Sequence, residues 1–331
     1  DIKAPDCFIV EDICRKRMNI PVFHDDQHGT AIVVGAAATN ALKVAGKEFA
    51  DIKVVSTGGG AAGIACLNML VKLGVKRENI WLCDIHGLVY EGRAEDMNPQ
   101  KAAYAQKSDL RSLDDVIEGA DLFLGLSGPK VLTPEMVAKM AKQPIIFALA
   151  NPTPEILPEE VRKVAPDAIM ATGRSDFPNQ VNNVLCFPFI FRGALDVGAT
   201  DINDEMKIAC VEGIAKLARA TTSAEAAAAY RGEQLTFGPD YLIPKPFDPR
   251  LARRLIQLRI AWNMVAVAMH RCRRWIVVLA MEIHNQPRNI HIHRFAGQGR
   301  ALCLFPALTA WLHSKTQPIP HKEEIQKIAS L

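Results

Sequence analysis

The fold that this sequence predicts is an α/β domain built on a doubly wound, mainly parallel sheet with helices on both faces. Three observations carry that expectation. Short apolar runs rich in Val and Ile alternate with longer, helix-like stretches, the order that parallel strands joined by crossover helices require. One strand-like run passes into a helix-like one through a glycine loop, Gly58-Gly59-Gly60. The chain has 331 residues, of which 49% are apolar and 6% aromatic, enough to bury a large core.

Taken in order, FHDDQHGTA (23–31) sets Asp25 and Asp26 between His24 and His28, just ahead of a helix. From Gly29, GTAIVVGAAATNALKVAG is Ala-rich and closes on Gly46, which predicts that helix. IKVVST (52–57) predicts a strand, and AAGIACLNMLVKLG predicts a helix ending at Gly74. NIWLCD (79–84), DLFLGL (121–126), PIIFALA (144–150) and DAIMAT (167–172) predict further strands, with helices near 112–119 and 134–142. VLCFPFIF, after Asn182-Asn183, reads as an apolar strand, and DINDEMKIACVEGIAKLARA (201–220) as a capped helix. No internal repeat is visible.

Charge divides the chain. Residues 1–249 hold 26 Lys/Arg against 33 Asp/Glu, whereas residues 250–331 hold 13 against 3. Six of the nine His and three of the four Trp also fall in that last part, without helical or strand periodicity. It reads as an atypical basic tail (252–331), poorly folded or translated in a shifted frame, rather than as a nucleic-acid or membrane-surface arm. The eight Cys form no C-x-x-C pair and several sit in apolar runs, which predicts reduced thiols and a cytoplasmic protein. The sequence predicts no signal peptide and no run long enough to span a membrane. The first residue is not Met, so a processed or incomplete chain is expected.

Gly58, Gly60 and Gly63 have G-x-G-x-x-G spacing between a strand and a helix. The first allows the tight turn, the second lets a pyrophosphate approach the backbone, and the third lets helix and strand pack closely. The phosphates would meet the helix N-terminus at Ala61 and Ala62, where free N–H groups and the dipole favour anions. Asp84 ends the next strand, 21 residues after Gly63, where an acid can bind ribose hydroxyls. Arg93, with His86 and Lys101, can neutralise it, so these residues leave NAD and NADP open. At Asp25-Asp26 two readings also stand: a site for a cation, or solvated acids favoured by a helix dipole.

IPVFHDDQHGTA, GGGAAG, FALANPTPE and ATGRSDFPNQVNNVLCFPFIFRGALD, in this order, resemble the malic enzymes. The likeness is to the bacterial NADP-dependent type, often fused to a phosphotransacetylase-like domain. It covers residues 1 to about 251, and implies the end of an N-terminal malic domain (1–28) followed by a nucleotide-binding domain (29–251). It implies oxidative decarboxylation of L-malate to pyruvate, with NADP (NAD the alternative) and Mg²⁺ or Mn²⁺ as cofactors, in a homo-oligomer. By this resemblance Asp26 and Asp1 match metal ligands, the latter as the Asp of a Glu-Asp pair whose Glu would precede the chain. Asp25 would face the family's catalytic lysine, with His24 and His28 packing or supporting rather than ligating. Asn151 and Asn183 match malate-binding asparagines, and Asn182 would lie beside the nicotinamide. The family's catalytic Tyr and Lys match no position here, which predicts an N-terminally truncated chain with little turnover alone. A non-catalytic nucleotide-binding remnant and another Rossmann-like dehydrogenase, such as an amino-acid dehydrogenase, are the alternatives.

Overall fold

A computed structural model gives the fold and describes residues 2–221, 235–246 and 248–256. Six strands form one sheet: β1 (Val54–Thr57), β2 (Ile80–Asp84), β3 (Gly87–Leu88), β4 (Leu122–Gly125), β5 (Ile145–Ala148) and β6 (Ile169–Thr172). Their spatial order is β3-β2-β1-β4-β5-β6, parallel throughout except for the short β3, which runs antiparallel to β2. The order reverses between β1 and β4, so their C-terminal ends diverge and leave a crevice.

Strand side chains alternate between two cores, as a period of two demands. Val54, Leu122, Leu124, Ile145 and Phe147 enter one core, while Val55, Phe123 and Ile146 enter the other. Helices α2 (Asp25–Ala45), α3 (Ala61–Leu73), α8 (Phe187–Asp196), α9 (Asp204–Arg219) and α10 (Arg250–Ile256) supply the first core with Ile32, Leu67, Ile190, Ile214 and Leu251. The shorter α5 (Leu113–Val116), α6 (Pro134–Ala138) and α7 (Pro158–Val164) supply the second with Val116, Val137 and Val161. The remaining helices are α1 (Asp6–Arg17) and the single turn α4 (Pro99–Ala102). α2 stays close to its neighbours because its buried face is mostly Ala and Gly. A Cβ on Gly35 would lie 3.1–3.2 Å from Leu73, Met69 and Val211.

Several elements differ from the sequence expectation. α2 begins at Asp25, one turn before Gly29, so the two carboxylates lie inside its first turn. VLCFPFIF is not a strand: a 3₁₀ turn at Asn183–Leu185 leads directly into α8. An unbroken apolar run carries no period, and here Pro188 opens a helix whose Ile190 and Ala194 are buried four residues apart. α1 escapes notice because Cys7 is its only buried residue, leaving almost no apolar stripe to read. α10 crosses position 251, burying Leu251 and Leu255, and the rest of the basic tail lies outside the described residues. Among the described residues no helix is long and apolar enough to cross a membrane.

Candidate functional site

The glycine loop lies at the mouth of the crevice, directly after β1. Gly58 has φ +108°, and a Cβ there would stand 2.3 Å from the Leu126 carbonyl, which comes from the loop after β4. A Cβ on Gly63 would stand 1.9 Å from the Gly58 carbonyl, so the first turn of α3 touches the loop only because Gly63 has no side chain. Gly60 differs from both. Its backbone is extended (φ −81°, ψ −171°), and a Cβ there would meet nothing within 4 Å. Its hydrogen faces open space at the N-terminus of the 13-residue α3, where no side chain caps the free N–H groups of Ala61 and Ala62. Gly58 and Gly63 therefore lie against backbone, and Gly60 against open space.

Asp84, the last residue of β2, is held by two cations. Arg93 Nη2 contacts Oδ2, Lys101 Nζ donates to the same oxygen at 2.8 Å, and the His86 backbone N–H donates to Oδ1 at 2.9 Å. All three side chains are buried, at 2–6% exposure. Burial by itself would raise the Asp84 pKa; the hydrogen bonds from Arg93, Lys101 and His86 outweigh it and hold the carboxyl below the usual range. Arg93 also donates to the Glu95, Gly87 and Leu88 carbonyls, so four of its five guanidinium N–H groups are committed to the protein. Lys101 Nζ also donates to the Asp96 carbonyl at 2.8 Å and to Asp96 Oδ2 at 2.5 Å, so its three N–H groups are committed as well, and its Cε lies 2.7 Å from where a Gly59 Cβ would be. An Asn98 cap and Pro99 build the single turn that aims it, a local signal present in the sequence.

Asp25 and Asp26 are separated by their surroundings. Asp26 is exposed and makes no hydrogen bond among the described residues. Asp25 is half-buried, and its Oδ2 accepts from Asn183 Nδ2 at 2.5 Å, across 158 positions of sequence. Its Oδ1 is buried with no hydrogen-bond partner among the described residues. Burial first, and then the Asp26 charge, push its pKa from 3.8 to about 6. The approach depends on Gly29, where a Cβ would lie 2.0 Å from Asp25 Oδ1. His28 is tied to Glu11 at 2.7 Å and to Lys207 at 3.2 Å. Asn182 caps the 3₁₀ turn, accepting from the Val184 N–H at 3.0 Å. Asn151 is exposed in the loop after β5, and no hydrogen bond joins its side chain to Asp25 or Asn183. Asp1 lies outside the described residues, among which no cluster of three or more His, Cys, Asp or Glu could hold a metal ion.

Glu155 was not singled out from the sequence, because ANPTPE reads as a turn. Its side chain is fully buried between the loops after β4 and β5, accepting from the Ser127 and Ala150 N–H groups, each at 3.0 Å. Burial raises its pKa by more than these bonds lower it.

Strand order, glycine loop and the acid after β2 together define a dinucleotide-binding domain of the Rossmann-like α/β class. Residues 27–230 match the family model "Malic enzyme, NAD binding domain". An NADP-dependent malic enzyme of Escherichia coli K12 is 64% identical over 252 residues, which are 76% of this chain and 33% of that protein. An NAD-dependent malic enzyme of Rhizobium meliloti is likewise 64% identical, over 77% of this chain and 33% of that protein. Among solved structures, an NAD-dependent malic enzyme from Thermotoga maritima superposes with a TM-score of 0.67 at 41% identity, covering 77% of this chain and 64% of that one. The chain belongs to the malic enzyme family. It spans about a third of the length of these two curated relatives.

Proposed function

We propose that this chain forms the nucleotide-binding part of an enzyme that oxidatively decarboxylates L-malate to pyruvate and CO₂, with NADP as hydride acceptor. The observation that carries the reading is the open space at Gly60, beside an uncapped helix N-terminus and the Asp84–Lys101 pair. A dinucleotide would lay its pyrophosphate at Ala61 and Ala62 and its adenosine ribose against Asp84. The relatives include both NADP- and NAD-dependent enzymes at the same identity, so coenzyme choice rests on local charge. Lys101 favours NADP in this reading by helping Arg93 offset the Asp84 charge that would repel a ribose 2′-phosphate, its own N–H groups being held by Asp84 and Asp96.

Asp25 and Asp26 offer hard oxygen donors of the kind that Mg²⁺ and Mn²⁺ take, one of them an exposed carboxylate and one a buried oxygen without a partner. They fit part of such a site. In our reading Asp26 is a ligand, joined by Asp1 and by donors outside the described residues. The metal, when bound, supplies Lewis-acid polarisation of the substrate's C2 oxygen. Asn151 and Asn183 would hold the diacid through amide groups that both donate and accept, and Asp25 would fix the Asn183 side chain. A second reading is nucleotide binding without turnover. A homo-oligomer is also part of the proposal, and exposed Ile9 and Ile13 on α1 and Leu195 on α8 offer apolar surface for one.

Fluorescence titration with NADPH, NADP⁺ and NAD⁺, followed by Mn²⁺ and malate, tests the reading. Saturable binding with NADP⁺ preferred, and turnover once the family's Tyr and Lys segment is supplied in cis or as a folded partner, is expected. Failure to bind either dinucleotide would overturn the proposal. Binding that never leads to turnover would leave the second reading standing.

A further inference from the structure

Four loops leave the C-terminal ends of β1, β4, β5 and β6, and one carboxylate lies behind them. Glu155 accepts from the backbone N–H of Ser127, after β4, and of Ala150, after β5. Those two bonds fix two peptide planes. The Leu126 carbonyl faces Gly58 of the glycine loop, and the Leu149 carbonyl faces Gly173 after β6, at 2.3 and 3.0 Å from where Cβ atoms would be. Ser127 Oγ donates to Thr57 Oγ1 at 2.9 Å, closing the set back onto β1. Gly125 makes room for the carboxylate, since a Cβ there would lie 2.4 Å from Glu155 Cδ. No Lys, Arg or His pairs with Glu155 among the described residues, although it is wholly buried. A buried charge without a counter-ion is costly, and such groups concentrate where a site needs a field.

In a two-half dinucleotide fold the adenosine half lies over β1 and β2, with its ribose at the acid after β2. The second half then falls over β4 and β5, in front of Glu155. Resting on the nucleotide reading above, we propose that Glu155 is a positioning residue for the nicotinamide half of the coenzyme. We assign it a bias toward the oxidised form. The oxidised ring carries a positive charge that the reduced ring lacks. A fixed negative charge behind the loops therefore stabilises bound NADP⁺ relative to NADPH. The protein holds the substrate form of the coenzyme and loosens its grip on the product form.

The test is equilibrium titration of NADP⁺ and NADPH against the whole chain, for the wild type, Glu155→Gln and Glu155→Asp, with thermal unfolding alongside. Glu155→Gln keeps the shape, removes the charge and turns one acceptor into a donor facing an N–H. It is expected to weaken NADP⁺ at least fivefold and NADPH at most twofold. Glu155→Asp keeps the charge and should keep the wild-type ratio of the two affinities, even where both fall. Equal losses for the two forms in Glu155→Gln, or a lost ratio in Glu155→Asp, would overturn the proposal. A purely structural role moves the unfolding temperature and both affinities together. If Glu155→Gln does not fold, the Glu155→Asp ratio decides alone. A wild type that binds neither form refutes the nucleotide reading itself, which is a different outcome.

Discussion

Gly60 and Gly63 lie three residues apart in one loop, and the same kind of substitution should have opposite consequences at the two. At Gly60 a Cβ meets nothing within 4 Å, and the extended backbone suits a β-branched residue. Gly60→Val should therefore leave the fold intact, losing about 1 kcal/mol because Val is a poor N-cap. For a domain of this size that lowers the melting temperature by roughly 2–4 °C. Its side chain would stand where the pyrophosphate must approach, so NADPH affinity should fall at least 100-fold, about 2.8 kcal/mol at 1.4 per decade. At Gly63 a Cβ would lie 1.9 Å from the Gly58 carbonyl, a collision with backbone that no rotamer relieves. Gly63→Ala should cost about 1–3 kcal/mol of overpacking, lowering the melting temperature by roughly 2–12 °C. Thermal unfolding followed by circular dichroism, paired with fluorescence titration of NADPH, separates the two. Unchanged NADPH affinity in Gly60→Val, or a fold broken by it, would refute the reasoning.

Asp84→Asn should destabilise the fold by about 3 kcal/mol, because it leaves Arg93 buried beside a neutral amide while Lys101 keeps its Asp96 partner; chemical denaturation measures it. The Asp84 pKa is lower folded than unfolded, so its stabilisation is present above about pH 4 and is lost as pH falls through the folded value. The stability of Asp84→Asn should accordingly fall less steeply below pH 4 than that of the wild type. Lys101→Gln should reduce NADP⁺ affinity about tenfold relative to NAD⁺, or 1.4 kcal/mol, and an unchanged ratio in titration would remove Lys101 from coenzyme choice. Asp26→Asn should weaken Mn²⁺ binding at least tenfold, against less than threefold for Asp25→Asn, by paramagnetic titration of free Mn²⁺; the reverse order would exchange their roles.

What could be read from the sequence was local. The glycine spacing needs only one strand, one turn and one helix, and the structure gives each glycine a distinct task. Asp84 and its cations lie within one loop excursion, so their proximity could be foreseen; that Arg93 is spent on three carbonyls could not. The Asp25–Asn183 bond joins residues 158 positions apart, and no pattern near either one announces it. Glu155 stayed hidden because buried acids are rare and a turn motif masks this one. VLCFPFIF misled because a solid apolar run suits a buried strand and a buried helix equally.

α2 is made early and finished late. Its flank toward α9 is closed only when Asn40 can donate to the Ala215 and Leu242 carbonyls, 175 and 202 residues further on. At about 5–20 residues per second of synthesis, Ile32, Val33 and their apolar neighbours wait on the order of 10–40 s for that cover. A nascent chain stalled before α9 would carry a half-covered apolar helix out of the ribosome. Chaperone demand should thus peak while residues 46–203 are being made, and drop once Ala215 emerges.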